Sequence, residues 1–472
     1  MTAAALWTIE DAARATGGKP YGAWRATGVA IDSRALRPGD LFVALKGPRF
    51  DGHDFVTQAL EKGAAGALVE RPPGAASPDT PLLVVTDSQD ALVRLAEAGR
   101  ARTPARILAV TGSVGKTGTK EMLRHVLSEQ GKTAASAGSQ NNQIGVPLSL
   151  ARMATDCRYG VFEIGMNHPG EITPLTRLAR PHLALITTVE ATHLEAFASV
   201  EAIADAKAEI FEGMDAHGIA VLNRDNAHHK RLARAARRRG IERIISFGRS
   251  EDAEARLLEV SVEPGASAVR ASIGGQPIDY RLGLAGAHWA FNSVAVLAAA
   301  QAVGADLSRA AESLATVTAL KGRGRRQSVT LPDGAFELID ESYNASPASM
   351  RAAIELLAAM PAAGRHIAVL GGMLELGPDS EALHAGLAEP IENAGLDAVY
   401  TVGRFMHALH DALPKHRRGG HGAGPGDLIP LLRHAVGPGD VVMVKGSAGS
   451  RMGLVVDALL AAAGDATPRA AG

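Results

Sequence analysis

The sequence predicts an α/β protein of three domains, the central one a mostly parallel sheet flanked by helices. Three observations carry that expectation. From residue 107 onward, short continuous apolar runs alternate regularly with helix-length segments, the pattern of strands covered on both faces by crossover helices. One of the intervening turns, TGSVGKT at 111–117, is rich in glycine and ends in Lys-Thr. A second series of strands and helices begins after the basic stretch KGRGRR at 321–326, the best linker candidate in the chain. At 472 residues one ordinary core is not enough, so boundaries are expected to give domains 1–86, 87–320 and 321–472.

In the first domain a strand is expected at 40–45 (DLFVAL), a helix at 56–62 and a strand at 66–69. The proline-, glycine- and serine-rich run RPPGAASPDTP at 71–81 reads as a loop. In the second, strand 107–110 precedes helix 116–130, and strand 159–166 precedes helix 170–180. Strand 182–189 then precedes helix 199–214, and strand 218–223 precedes helix 226–239. Residues 261–284 read as short antiparallel strands, followed by one helix in GAHWAFNSVAVLAAAQAVGA. The third domain is expected to run through FELIDESYN, helix 347–360, IAVLGGM, helix 380–393, AVYTVG and VVMVKGS.

Composition narrows the function classes. A net charge of −1 gives no global pull toward nucleic acid or an anionic membrane, and the basic run HHKRLARAARRR at 228–239 reads as a solvated helix face. The longest apolar-leaning stretch, 291–305, contains Asn292, Ser293 and Gln301, which makes it a buried helix rather than a membrane span. Cys157 is the only cysteine, so no intrachain disulfide framework is expected and a reducing cytoplasm fits. The first residues, MTAAALWTIEDAA, lack the basic region of a signal peptide.

The chemistry is concentrated around the glycine-rich turn. Gly112 and Gly115 allow successive N–H groups to converge on one anion, and the following helix adds the positive end of its dipole. Lys116 supplies a mobile positive charge for β- and γ-phosphates, and the Thr117 hydroxyl can ligate Mg²⁺. The plainer alternative is a glycine-rich turn with a surface lysine. Glu163 ends an apolar strand beside a turn, at the sheet edge where ligands gather, and its carboxylate suits Mg²⁺. His193 follows the next strand at the same edge. Lys207 lies among Ala206, Ala208, Ile210 and Phe211; desolvation would lower its pKa and leave a neutral amine able to take up CO₂ as a carbamate.

These residues and their order resemble the Mur ligase family, nearly end to end. DSRALRPGDLFVALKGPRFDGHDF at 32–55 resembles the family's uridine-nucleotide-binding segment and implies that Asp32, Ser33, Arg34, Lys46 and Gly47 meet the substrate. TGSVGKTGTKEM resembles its ATP loop, with Gly112, Ser113, Val114, Gly115, Lys116, Thr117 and Gly118 at the nucleotide. NNQIGVPL resembles a loop at the sugar-nucleotide site, here Asn141 and Asn142. EIGMNHPGEI, THLEAF and AKAEIF together resemble its Mg²⁺ and lysine constellation of Thr117, Glu163, His193 and carbamylated Lys207. GAHWAFNSVAVLAAA resembles the family's G-x-H-x-x-x-N helix, which implies that Asn292 meets adenine. IDESYNASPASM and VKGS resemble its C-terminal domain and bring in Tyr343 and Asn344 for the nucleotide and Lys445 for the substrate, with Arg323 or Arg325 as the phosphate-contacting arginine.

The resemblance implies a P-loop-type central sheet, a Rossmann-like C-terminal domain and a small α/β N-terminal domain. It implies a cytoplasmic monomer that uses ATP and Mg²⁺, takes UDP-N-acetylmuramoyl-tripeptide as acceptor and D-alanyl-D-alanine as the incoming amine, and forms an acyl phosphate. Lys116, His193 and Lys207 are then its catalytic groups. Nucleic acid and membrane insertion are not expected. Two rivals stand beside this reading: another ligase of the superfamily, such as a folylpolyglutamate synthase-like or single-amino-acid-adding enzyme, and a nucleotide-driven switch acting on a protein partner.

Overall fold

The computed structural model describes residues 5–461 except 49, 75, 193, 194 and 264. Three large sheets follow one another along the chain. The first has five strands in the order Lys19–Tyr21, Leu82–Val84, Gly66–Val69, Asp40–Val43, Gly28–Ala30, parallel except for the first pair. Its inner strands Asp40–Val43 and Gly66–Val69 are short and almost wholly buried, so each reads as an apolar run rather than an alternation.

The central sheet has nine strands. Six pair in parallel in the order Arg243–Gly248, Ile219–Asn223, Leu183–Ile186, Arg106–Thr111, Tyr159–Glu163, Thr133–Ala135. The antiparallel ribbon Ala255–Glu263, Ala266–Ile273, Gln276–Leu282 extends it at the other edge. Arg106–Thr111 lies between Tyr159–Glu163 and Leu183–Ile186, so the chain crosses from one side of this strand to the other. That crossing opens a crevice at the strand's carboxyl end. One face packs on the helices Lys116–Ser128 and Ala287–Ala302, the other on Gly145–Ala151, Ile172–Ala179 and His229–Arg238. Helix Ala287–Ala302 is buried almost all round, because its alanines let it lie close on the sheet.

The third sheet runs Arg325–Leu331, Gly334–Glu341, Val441–Lys445, His366–Gly371, Ala398–Val402, Arg418–Gly422, parallel except for the first pair. Its first strand departs from the sequence expectation: Arg325 and Arg326 are strand rather than linker, paired across the two-residue Pro-Asp loop with Gly334–Glu341. The turn itself is 321–324, where the buried carboxylate of Asp340 accepts from the Gly322 N–H at 2.7 Å and from the Ser342 hydroxyl.

Two expected helices each divide in two. The helix expected at 199–214 is Val200–Ala208 and then tightens into the 3₁₀ turn Glu209–Gly213, where a Cβ on Gly213 would stand 2.0 Å from Thr176 O. The helix expected at 380–393 breaks at Gly386 into Ser380–Ala385 and Ala388–Asn393. The basic run forms the helix His229–Arg238, with Leu232, Ala233, Ala235 and Ala236 inward and Arg231 paired to Asp205.

The first and central sheets are joined by apolar packing. Helix Ser88–Ala101 lies against helix Gly145–Ala151, and Leu148 and Ala151 belong to the same hydrophobic cluster as Trp7, Leu41 and Leu92. The Trp7 indole N–H donates to Ala151 O at 2.9 Å, and the Arg102 guanidinium stacks 3.9 Å from its ring. At Gly99 the two helix backbones touch: a Cβ there would lie 2.6 Å from Leu150 O. Backbone cannot give way as a flexible side chain can, so Gly99→Ala is expected to cost about 1–3 kcal/mol of stability. A thermal midpoint equal to that of the parent protein would show that this seam is looser than described.

Candidate functional site

The crevice is built first by the loop after strand Arg106–Thr111. Gly112 has φ +146° and Gly115 has φ +84°, conformations that L side chains rarely adopt. The loop is wedged on both sides. A Cβ on Gly112 would stand 2.0 Å from Thr187 Oγ1, one on Gly115 2.8 Å from Asn292 Nδ2, and one on Gly118 2.2 Å from the Trp289 ring. Ser113 N–H donates to Thr188 O at 2.8 Å, and the Thr187 hydroxyl donates to Val114 O at 2.5 Å. The Ser113 hydroxyl donates to Glu190 O at 3.1 Å. The loop is therefore held in shape by protein partners, leaving the start of helix Lys116–Ser128 facing the crevice with its positive dipole end.

The ammonium of Lys116 donates to Gly112 O at 2.7 Å and Ser113 O at 3.3 Å. Burial lowers its pKa, with Glu163 opposing and Arg323 adding to the effect. Glu163 comes from the neighbouring strand and is buried; it accepts from the Thr117 hydroxyl at 2.6 Å and from Asn141 Nδ2 at 2.7 Å. The pair Thr117–Glu163 is an all-oxygen donor set, the type a hard cation such as Mg²⁺ takes while keeping most of its sites for water and phosphate. Among the described residues no group of three His, Cys, Asp or Glu side chains has metal-binding geometry.

The third sheet closes the crevice from the far side. A cleft of about 730 Å³ is lined by the phosphate loop, Asn141, Glu163, Asn223, His288 and Asn292, and across from them by Arg323, Glu341, Tyr343, Asn344 and Lys445. Arg323 lies 4.2 Å over the Tyr343 ring, and the Tyr343 hydroxyl is hydrogen-bonded to the Ser139 hydroxyl. Lys445 is buried and donates to Asn344 O at 3.0 Å and to Glu341 at 3.3 Å. Desolvation within the cleft lowers the pKa of the His288 imidazole, Glu341 opposing and Lys445 assisting. Lys116, Arg323 and Lys445 thus aim three cations at one cavity, an environment suited to a polyphosphate.

The structure sorts the sequence candidates. Gly112 to Gly118, Glu163, Asn141, Asn292, Arg323, Tyr343, Asn344 and Lys445 come together. Arg325 does not: it is exposed on the edge strand, opposite Asp340, and leaves Arg323 as the arginine of the cleft. Lys207 is 2% exposed and off the cleft lining, its pKa pushed well below the usual lysine value by burial and by the charge of Lys116. His193 lies outside the described residues.

Asn142 lines a second cavity, of about 1340 Å³, that meets the first at Asn141, Gly165, Met166 and Asn167. Asp32, Ser33, Arg34, Lys46 and Gly47 line neither; they follow the adjacent parallel strands Gly28–Ala30 and Asp40–Val43 at one edge of the first sheet. There Arg34 grips Asp32 in a bidentate pair, holding the carboxyl pKa down to about 2, while Ser33 donates to Gln58 at 3.3 Å.

Sequence reasoning missed Lys120, His288, Asn223 and Thr187. The helix motif quoted for Asn292 contained His288, but nothing in the one-dimensional pattern distinguishes Lys120 from an exposed helix lysine.

Three family models match in succession: the Mur ligase family catalytic domain over residues 25–100, the Mur ligase middle domain over 110–300, and the Mur ligase glutamate ligase domain over 324–448. The UDP-N-acetylmuramoyl-tripeptide–D-alanyl-D-alanine ligase of Escherichia coli is 40% identical over 433 residues, covering 91% of this chain and 93% of the relative. Among solved structures, MurF from Acinetobacter baumannii superposes with a TM-score of 0.82 at 30% identity, over 96% of this chain and 98% of that one. The MurF ligase from Thermotoga maritima in complex with ADP gives 0.75 at 28%, over 93% and 98%.

A methyl group at position 112 would collide with Thr187 and force a non-glycine residue into a strained conformation. Gly112→Ala is therefore expected to weaken ATP binding by about tenfold or more, read by titration calorimetry. Unchanged affinity would show that this loop does not form the phosphate site.

Proposed function

Because this chain belongs to the Mur ligase family, we propose that it joins D-alanyl-D-alanine to UDP-N-acetylmuramoyl-tripeptide with ATP, giving ADP, phosphate and the pentapeptide precursor of peptidoglycan. The observation that carries this reading is the shared cleft, in which a phosphate loop from one sheet faces Arg323 and Lys445 from another. Relatives matching from end to end support the same assignment.

Amide formation from a carboxylate needs a better leaving group than oxide, and phosphorylation by ATP supplies one. Two anions, the γ-phosphate and the acceptor carboxylate, must then approach closely. Lys116 and Arg323 offset their repulsion from opposite walls of the cleft. The loop N–H groups fix the phosphates, and Asn292 beside Gly115 faces the adenine. Thr117 and Glu163 would hold Mg²⁺, which when bound neutralises phosphate charge and polarises the transferred group. His193 and Lys207, the latter as its carbamate, would hold a second ion. Tyr343 and Asn344 flank the nucleotide and Lys445 the substrate.

The three sheets divide the labour as three domains, 1–86, 87–320 and 321–472. Asp32, Ser33, Arg34, Lys46 and Gly47 meet the uridine nucleotide, Asn141 and Asn142 the sugar end, and the C-terminal sheet brings the dipeptide. Every group named comes from one chain, so a monomer suffices. Among the described residues no helix is long and apolar enough to cross a membrane, and the proposed site of action is the cytoplasm.

The direct test is phosphate release from ATP with the tripeptide precursor and D-alanyl-D-alanine supplied separately and together. Release that needs both, with a pentapeptide product by mass, is expected. Release indifferent to the dipeptide overturns the assignment.

The carbamate has its own test. The lowered pKa of Lys207 makes its neutral amine the main form above that pKa, and protonation as pH falls through it blocks reaction with CO₂. Turnover should therefore drop in CO₂-depleted buffer, return with bicarbonate, and become more bicarbonate-dependent toward acid pH. Lys207→Arg, which has no neutral amine, should stay inactive at every bicarbonate concentration. Indifference to bicarbonate would remove the carbamate from the mechanism.

A further inference from the structure

Lys120 lies one turn beyond Lys116 on the same helix, yet it does not face the phosphate site. It is 0% exposed, among the largest fully buried side chains of the protein. A buried ammonium carries a heavy desolvation penalty unless its donors are all used. Here they are: Lys120 Nζ donates to Ser136 O at 2.7 Å, to Gly138 O at 2.9 Å and to the Glu121 carboxylate. Three N–H groups meet three acceptors. Burial alone would raise the Glu121 pKa, but hydrogen bonds from Lys120 and from Arg124, the latter at 2.6 Å, prevail and hold it below the usual value.

The segment pinned in this way, 136–141, reaches both halves of the cleft. The Ser136 hydroxyl accepts from the Glu163 N–H at 3.2 Å. Asn141 donates to the Glu163 carboxylate at 2.7 Å and accepts from Gly165 N–H at 2.9 Å. Between them Ser139 makes its hydroxyl contact with Tyr343, on the C-terminal sheet's side of the cleft. Lys120 is thus the point at which the phosphate-loop helix grips a loop that touches the candidate Mg²⁺ carboxylate and the closing lobe at once.

We propose that Lys120 is a positioning residue for the ligation: its ammonium holds loop 136–141 on the phosphate helix, so that nucleotide seating and closure of the C-terminal lobe through Ser139–Tyr343 are coupled. The proposal rests on the ligase reading above.

The test compares the parent protein with Lys120→Met, Ser139→Ala and Tyr343→Phe, measuring kcat, each KM, ADP affinity and thermal midpoint. No ligation by the parent would sink the ligase reading itself, before Lys120 is at issue. In an active parent, Lys120→Met is expected to lower kcat about tenfold or more while ADP affinity stays within about threefold, the signature of lost positioning rather than lost binding. Tyr343→Phe should lower kcat in the parent but add little in the Lys120→Met background, because the coupling is already broken. A lower thermal midpoint with kcat and every KM unchanged would make Lys120 structural only and overturn the proposal. Equal, additive losses from Tyr343→Phe in both backgrounds would overturn it too. Should Lys120→Met not fold, Ser139→Ala carries the test: kcat must fall with ADP affinity kept, and an unchanged kcat overturns the coupling.

Discussion

The hydrogen bond from Thr117 to Glu163 depends on a constraint that organises the whole protein: two parallel strands held side by side in one register. Arg106–Thr111 pairs with Tyr159–Glu163 so that Glu163 stands opposite Val110, one residue before the strand ends and the phosphate loop begins. A slip by one residue would turn Glu163 to the other face of the sheet and take its carboxylate away from the helix that carries Thr117. The apolar faces on both sides of the sheet enforce the register, since every residue of these two strands except Arg106 is buried. Core packing and site geometry are therefore the same fact seen from two directions.

Three glycines at three-residue spacing show how closely that geometry is shared. Gly112 and Gly115 use their unusual backbone angles, as the loop sequence suggested, but each also leaves room for a named neighbour, Thr187 or Asn292. Gly118, inside the helix, needs no special angle; it is small because the Trp289 ring lies against it. The helix Ala287–Ala302 thus sets the loop from behind while offering Asn292 to the crevice.

Much of the fold was legible because buried parallel strands are continuous apolar runs and their helices have length and spacing to match. The phosphate loop was legible because its chemistry needs particular residues in sequence. What stayed hidden was decided across the chain. The strand Arg325–Leu331 begins with Arg-Arg-Gln-Ser and earns its place only by pairing with Gly334–Glu341. Which arginine enters the cleft depended on where the turn at 321–324 stops and the exposed strand begins. Lys120 looked like any helix lysine, since its partners Ser136 and Gly138 lie on another loop. Asp32 and Lys46 were recognised by motif, yet their distance from the cleft could come only from the order of sheets.

The three sheets are not joined alike. Apolar side chains of the first sheet share one cluster with the helix Gly145–Ala151 of the central layer, whereas the clusters of the third sheet, among the described residues, contain none from the central one. The third sheet meets the second across polar groups, such as Ser139 with Tyr343, and through the chain turn itself. A seam able to admit nucleotides and charged peptides cannot also be greasy, so the protein's working surface is its least cohesive joint. Under mild stress that joint would part first, and a molecule bridging its two walls would act as mortar, strengthening the enzyme while silencing it.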